Sequence, residues 1–230
     1  MIAIQRAKCP NMLTGSPTEG THYNKSGVVK TLRKMQHGKC CYCECRIPRI
    51  GLGKHVEHFR PHSRPEFKKL RNDWPNLLLA CPQCNGQKGD QFPTDSRGQP
   101  LLIDPSSSNL DPEQHIEFVA SVSEDPYEPI GMPIWKDGSR RGRTTIEVIA
   151  LWLPDHVRAR AEHYHKEVLP VYRRMVHAKR DGDDAALERA ISEFNILMSS
   201  KSPLAGLVRS FARNMEVDQD FQVRIPARNE

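Results

Sequence analysis

Two cysteine pairs constrain the fold of this 230-residue chain more than any other feature of its sequence. Cys40 and Cys43 form one C-x-x-C pair, and Cys81 and Cys84 form a second pair after 37 intervening residues. Each pair can present two thiolates to one ion, and four thiolates complete the tetrahedral site that zinc prefers. The spacing therefore predicts a structural zinc site built from all four cysteines.

Three further cysteines leave alternatives open. Cys41 and Cys45 lie beside the first pair and could in principle replace one of its members, but only Cys40 with Cys43 has the C-x-x-C spacing. Cys9 is isolated, and we expect it to be structural. A single pair could equally be a redox motif, so the presence of the second pair is what favours zinc.

The apolar content of the chain predicts a cytosolic protein. No apolar run is long enough to cross a bilayer, and the first ten residues lack the apolar core of a secretory signal. In the cytosol thiols stay reduced, which favours metal ligation by closely spaced cysteines over disulfides.

Positive charge is concentrated between the two cysteine pairs. The chain has a net charge of +6 and a pI near 9.0, which makes a polyanion such as DNA a plausible partner. Residues 46–71 hold eight basic residues and only two acids, Glu57 and Glu66. The basic residues are Arg46, Arg49, Lys54, Arg60, Arg64, Lys68, Lys69 and Arg71.

The sequence divides into four segments. Residues 1–24 are predicted to form an irregular leader with a short strand at Ile2–Gln5. Residues 25–111 form the cysteine-bearing module, which opens with a helix from Lys25 because apolar residues recur there at helical spacing until Gly38. Residues 112–143 are a short-strand connector, and residues 144–230 are a helical region.

Apolar segments outside the cysteine pairs predict the remaining elements. Leu101–Ile103 and His115–Val122 are candidate strands of one small sheet. Thr144 and Glu147 have capping-box spacing ahead of an apolar run, which predicts a helix start at Thr144. Further helices are predicted over Asp155–Lys179, with an interruption near Pro170, over Asp183–Met198 and over Pro203–Met215.

Residues that could bind a cation or transfer a proton lie close to the two cysteine pairs in sequence. Glu57 and His58 are adjacent, Asn76 precedes the second pair, and Asn85 follows it directly. In this pattern the chain resembles HNH nucleases of the zinc-bearing class. The resemblance implies an α+β fold centred on a ββα-metal finger, in which two strands carry the histidine, a loop carries the middle asparagine and a helix carries the last residue.

The resemblance also implies a role for each position. His58 would be the general base that deprotonates the attacking water, as suits a side chain that titrates near neutral pH. Glu57 and Asn85 would hold a catalytic Mg²⁺ or Mn²⁺ through oxygen atoms. Asn76 would hold His58 in position by bonding across the loop. Glu57 stands where aspartate is commoner in the family, and Asn85 stands where the last histidine of the motif lies.

Candidate contacts to DNA phosphates surround these residues. Arg60, His62 and Lys88 are basic side chains close to the motif in sequence. His55 and His62 flank His58, and we expect each to be a phosphate contact or a surface residue rather than the base.

Longer runs of sequence restrict the resemblance to one group of HNH proteins. The runs VEHFRP (56–61), WPNLLLACPQCNGQKGD (74–90) and LIDP (102–105) are similar to the HNH component of Septu anti-phage defence systems, over about residues 28–160. The resemblance implies a second component, an ABC/SMC-like ATPase of the PtuA type. The C-terminal helices would cover the nuclease core or dock such a partner, and packing within the chain is the simpler use of their apolar residues.

Two other functions remain compatible with the sequence. One is a standalone HNH nuclease of the restriction or toxin type. The other is a zinc-dependent DNA-binding module without catalysis, since a closed four-cysteine site is by itself an inert scaffold.

Overall fold

A computed structural model describes residues 1–13, 20–48, 55–122 and 128–226. Arg49 and Lys54 of the basic segment lie outside the described residues, as do residues 14–19 of the predicted leader and 123–127 of the predicted connector.

The predicted first helix, α1, spans Ser26–Met35. Its apolar side, which includes Val28 and Leu32, is fully buried. The Gln36 side chain follows the helix and bonds both main-chain groups of Leu79, donating to its carbonyl at 2.8 Å and accepting from its N–H at 2.7 Å. The chain then turns through Gly38, whose φ of 73° is in the left-handed region that glycine tolerates best. Helix α1 is thereby fixed against the centre of the cysteine-bearing module.

The centre of the module is a hairpin followed by a helix. Strand β1 (His55–His58) pairs antiparallel with β2 (Leu77–Ala80), so that His55 lies opposite Ala80 and His58 lies opposite Leu77. Strand β2 is buried on both faces. Helix α2 (Pro82–Lys88) follows it at once and contacts β1. The order strand, strand, helix is that of the predicted ββα finger, and the α+β fold class is confirmed.

A second small sheet lies outside the finger. Strands β3 (Ile116–Phe118) and β4 (Pro133–Trp135) pair antiparallel, so the prediction of a strand within His115–Val122 is confirmed. The predicted strand at Leu101–Ile103 is wrong, because the Ile103 N–H bonds the Thr145 hydroxyl at 2.9 Å instead of a strand partner. The predicted strand at Ile2–Gln5 is also absent from the described residues, where Ile4 makes one main-chain bond, to Pro105.

The C-terminal region is helical, and its first helix starts earlier than predicted. Helix α3 spans Arg140–Ile149 and is capped by Ser139, whose Oγ accepts from the Gly142 N–H at 2.9 Å. The prediction of a start at Thr144 was therefore wrong, because Thr144 already lies within the helix. The neighbouring Thr145 is buried and serves the bond to Ile103.

The helical stretch around Pro170 is continuous rather than interrupted. Helix α4 (Pro154–His163) runs into a π-helical turn (Tyr164–Val168) and then into α5 (Leu169–Asp181). Pro170 falls in the first turn of α5, where the wider turn before it accommodates the missing N–H. The predicted break is thus a change of helical pitch.

Three more helices complete the described chain. Helix α6 (Asp184–Met198) is capped by Asp183, α7 spans Ala205–Asn214, and the unpredicted α8 spans Val217–Phe221. Helix α7 packs against β3, and residues Ala205 to Ala212 are buried. Arg209 and Arg213 on α7 bind the Glu113 carboxylate at 2.9 and 3.0 Å. Helix α7 therefore packs onto the connector. None of the helices within the described ranges is long and apolar enough to span a membrane.

Candidate metal centre and catalytic site

The four predicted zinc ligands come together. The Sγ atoms of Cys40, Cys43, Cys81 and Cys84 all lie within 4.8 Å of one another, and those of Cys43 and Cys81 are 3.9 Å apart. A tetrahedral zinc with bonds of about 2.3 Å requires ligand atoms about 3.8 Å apart. All four cysteines are free thiols. The donor set fits a zinc ion, and the Cys43–Cys81 separation is close to the spacing that the ion requires.

Local structure explains why these four cysteines converge. Cys81 is the N-cap of α2, and its sulfur accepts from the Cys84 N–H at 3.4 Å, which folds the second pair into a tight turn. The first pair is held beside β2 because the Cys41 N–H donates to the Leu79 carbonyl at 2.9 Å. Cys41 and Cys45 are not members of the metal-binding group found among the described residues.

Two basic residues of α4 lie against the cysteine centre. The His156 Nε2 is 3.6 Å from Cys84 Sγ. Arg160 is 1% exposed and donates to the carbonyls of Gly131 and Leu151 at 3.0 and 2.9 Å. Burial lowers the pKa of Arg160, and the negative charge of the Cys43 and Cys45 thiolates opposes that effect. Four thiolates around Zn²⁺ carry a net negative charge, which a buried cation offsets. No motif in the sequence indicated either residue.

His58 is the last residue of β1 and is held in one orientation. Its Nε2 lies 2.8 Å from the Arg71 carbonyl. A carbonyl only accepts, so Nε2 carries the hydrogen and Nδ1 keeps its lone pair. Burial lowers the pKa of His58 to about 4. The side chain is therefore neutral at pH 7, with one ring nitrogen anchored and the other able to accept a proton.

Aromatic contacts hold the His58 ring from two sides. The Tyr23 ring meets it edge-on at 4.7 Å, and the His62 ring is tilted over it at 4.2 Å. Tyr23 comes from the segment just before α1, and Arg71 follows a 3-10 helix over Pro65–Leu70. Sequence reasoning missed both residues, since neither belongs to a motif.

Asn76 bonds across the loop that leaves β1. Its Oδ1 accepts from the Arg60 N–H at 2.7 Å, and its Nδ2 donates to the carbonyls of Arg60 and Leu70 at 2.9 and 3.1 Å. The Asn76 carbonyl also accepts from the Phe59 N–H at 3.0 Å. These bonds clamp the two residues that follow His58.

Glu57 faces away from His58 and is already engaged. Neighbouring residues of a strand point to opposite faces. The Glu57 Oε1 lies 2.7 Å from the Lys88 ammonium and accepts from the Tyr42 hydroxyl at 3.2 Å. Burial raises the pKa of Glu57, whereas the ammonium opposes that effect. The Lys88 Nζ also donates to the His58 carbonyl at 2.9 Å.

Asn85 lies one helical turn before Lys88 and closer to the surface. It is half-buried, and its Nδ2 lies 3.2 Å from Nδ1 of the exposed His55. The two predicted cation ligands thus have different partners, Lys88 for Glu57 and His55 for Asn85.

The three candidate phosphate contacts differ in their burial and in the side chains around them. Arg60 is half-buried over the rings of Phe59 and Phe92, and His62 stacks beside His58. Lys88 is fully buried with its ammonium bound inside the finger, so the structure does not present it to a phosphate.

Comparison with known proteins identifies the class of this region. Residues 40–91 match the model of the HNH endonuclease family. That range includes both cysteine pairs, β1, β2 and α2, so the ββα finger is the part of the chain that is similar to HNH endonucleases.

Septu proteins are among the relatives of the chain. It is 30% identical over 153 residues to Septu protein PtuB of Bacillus mycoides strain KBAB4, which covers 56% of this chain and 48% of that protein. It is 29% identical over 160 residues to Septu protein PtuB of Bacillus thuringiensis, covering 66% and 54%. A match of 27% over 161 residues to Septu protein PtuA of B. mycoides covers 60% of this chain and 21% of PtuA. The chain thus spans about half the length of the PtuB relatives.

Proposed function

We propose that the chain is a metal-dependent HNH endonuclease that hydrolyses DNA phosphodiester bonds. The observation that carries the proposal is the state of His58, which is neutral, anchored through Nε2 and located in a domain that matches the HNH endonuclease family. The sequence expectations of a general base at His58 and a positioning residue at Asn76 are both retained in the proposal.

His58 performs the proton transfer in this scheme. Its Nδ1 accepts a proton from a water molecule as the water oxygen forms a bond to phosphorus. The bond from phosphorus to the leaving oxygen then breaks, and that oxygen takes up a proton from solvent. The Arg71 carbonyl stabilises the imidazolium formed, because it accepts a hydrogen bond from Nε2 throughout. The low pKa means that the proton is passed on readily after each turnover.

Zinc and a second cation have different roles in the proposal. We propose Zn²⁺ at Cys40, Cys43, Cys81 and Cys84, where it fixes the finger and takes no part in the reaction. A Mg²⁺ or Mn²⁺ ion would supply charge stabilisation to the phosphate oxygens. Lys88 and Tyr42 engage the Oε1 atom of Glu57, and no step of the scheme passes through a cation on this carboxylate.

We further propose that the chain is the nuclease component of a Septu-type, two-component anti-phage system. Its similarity to proteins named PtuB and PtuA supports this placement. The partner is proposed to be an ABC/SMC-like ATPase of the PtuA type. We propose that the protein acts in the cytosol, because a reducing compartment keeps closely packed thiols free.

Plasmid cleavage tests the proposal. Supercoiled plasmid is incubated with the zinc-loaded chain and Mg²⁺ or Mn²⁺, with and without an ATPase of the PtuA type. We expect nicking that His58→Ala abolishes and that His177→Ala, an exposed histidine on α5, leaves unchanged. Nicking that survives His58→Ala would reject the base assignment. DNA binding without cleavage under every condition would favour a non-catalytic module, and full activity that the ATPase neither binds nor alters would favour a standalone nuclease.

A further inference from the structure

Building on the nuclease function proposed above, we propose that helix α1 and the N-terminal segment (residues 2–8) form a second DNA-contact surface, in which Lys8, Lys30 and Lys34 bind backbone phosphates of duplex DNA. The surface lies outside the residues that match the HNH endonuclease family. Three observations carry the proposal. They are the charge of the first part of the chain, the hollow that α1 and the N-terminal segment line, and the position of α1 beside the catalytic site.

Positive charge in the first part of the chain has almost no counter-charge. Residues 1–43 hold seven lysine and arginine residues and one acid, Glu19. Helix α1 carries Lys30, Arg33 and Lys34 among its ten residues and has no acid. Lys30 and Lys34 are exposed and lie one turn apart, where like charges repel each other and weaken a helix. Helix formation therefore does not account for this pair of lysines.

A hollow of about 670 Å³ separates the N-terminal segment from α1. Lys8 lines it on one side, and Lys30 and Lys34 line it on the other. Within the described ranges, no carboxylate forms an ion pair with any of these three lysines. Glu44 is the one acid among the described residues that line the hollow. It is 3% exposed and accepts from the Gly206 N–H at 3.1 Å, so it is engaged inside the fold.

Lys39 also lines the hollow, but its ammonium is committed to the fold. It is 4% exposed and donates to the carbonyls of Ser200 and Ser202 at 2.5 and 2.8 Å. Burial, followed by the charges of Lys39 and Lys201, lowers the pKa of His37, which lines the same hollow. Lys39 therefore adds to the positive field, and the exposed lysines are the groups that can contact an anion.

The cations are spread along α1 rather than gathered at one point. A second hollow of about 460 Å³ shares Lys30 and Lys34 with the first and adds Arg33 and Arg46. An extended polyanion fits such an arrangement better than a small anion does. No Phe, Tyr or Trp is found among the described residues that line either hollow, so the surface offers charge to phosphates and no ring on which a base could stack.

Helix α1 begins close to the proposed catalytic base. Tyr23 lies three residues before the helix, and its ring centroid is 4.7 Å from that of His58. A helix of ten residues is about 15 Å long, which is less than half of one turn of duplex DNA, about 34 Å. A duplex with a phosphate at His58 is therefore long enough to reach Lys30 and Lys34 as well.

Binding of a labelled duplex to the full zinc-loaded chain, followed by fluorescence anisotropy over a salt series without added divalent cation, tests the surface apart from cleavage. For the double variant Lys30→Gln, Lys34→Gln we expect binding to weaken by about tenfold or more at about 0.15 M salt, equally for duplexes of unrelated sequence. The slope of log K against log salt should fall by about two, one for each phosphate contact, and Lys8→Gln should lower it by about one. Lys166→Gln, Arg189→Gln removes two exposed charges from the C-terminal helices, and this matched control should change neither quantity.

Four results would overturn the proposal. They are no DNA binding by the unsubstituted chain, unchanged affinity and salt slope in the double variant, equal losses in the double variant and the control, and loss of binding to an ATPase of the PtuA type with DNA affinity retained. The last result would make α1 a protein-docking surface. Because binding is measured without cleavage, weaker DNA binding by the double variant of a chain that never cleaves DNA would reject the nuclease function and support this surface.

Discussion

Replacing Asn76 by alanine tests how the loop holds His58. The side chain is 2% exposed and makes three bonds to main-chain groups of Arg60 and Leu70, at 2.7, 2.9 and 3.1 Å. A net contribution of about 1 kcal/mol per bond predicts a loss of about 3 kcal/mol, and more where the main-chain partners stay buried and unpaired. Urea denaturation should therefore show a lower midpoint with an unchanged slope.

The same substitution should affect catalysis by a separate route. Arg60 is two residues after His58, so loss of the clamp lets the base leave its orientation, and kcat should fall while KM for DNA changes little. Asn195→Ala, at an exposed position on α6, is the matched control and should change neither quantity. Asn76→Ala with wild-type stability and wild-type kcat would refute the reasoning. A loss of stability alone, with kcat retained, would restrict Asn76 to a structural role.

Three other perturbations address the metal centre, the base and the buried ion pair. Cys81→Ser, or removal of zinc by a chelator, should unfold the finger, which metal analysis and near-UV circular dichroism would reveal; retention of the fold without zinc would contradict the structural role. The pKa of His58 is lowered to about 4 from its ordinary 6.5, so the unfolded chain binds the extra proton first. Unfolding free energy should fall by up to about 3 kcal/mol as the pH drops from 6.5 to 4, and His58→Ala should lack that slope; identical pH dependence of both proteins would reject the assignment. Lys88→Met should cost about 3–5 kcal/mol because it leaves Glu57 unpaired, whereas adding Glu57→Gln should restore much of that loss. Additive costs in this pair would show that the two groups are not coupled.

The sequence predicts the finger because its determinants are local. Two C-x-x-C pairs and the short apolar run before Cys81 determine which thiols converge and where β2 lies. The motif residues Glu57, His58, Asn76 and Asn85 are recognised by their positions relative to these cysteine pairs. Helix α1 was predictable for the same reason, since its apolar spacing and Gly38 are both contained within one short segment.

Tertiary contacts account for most of what the sequence did not predict. The face of β1 that carries Glu57 looks onto α2, and only the packed structure shows Lys88 filling that space. His156 and Arg160 reach the cysteine centre from a helix more than 70 residues away. Leu101–Ile103 has the composition of a strand, but the Ile103 N–H bonds Thr145. Ser139 caps α3 because it bonds Gly142, which overrides the capping-box spacing at Thr144.

The central claim is that His58 acts as the general base of a DNA-cleaving HNH domain. Its most direct test is the rate of plasmid nicking by His58→Ala, measured on protein with full zinc content and native circular dichroism, in the presence of Mn²⁺ and the proposed ATPase partner. We predict nicking by the unsubstituted chain and a fall of at least about a hundredfold in the variant. An equal rate in the two proteins would contradict the account.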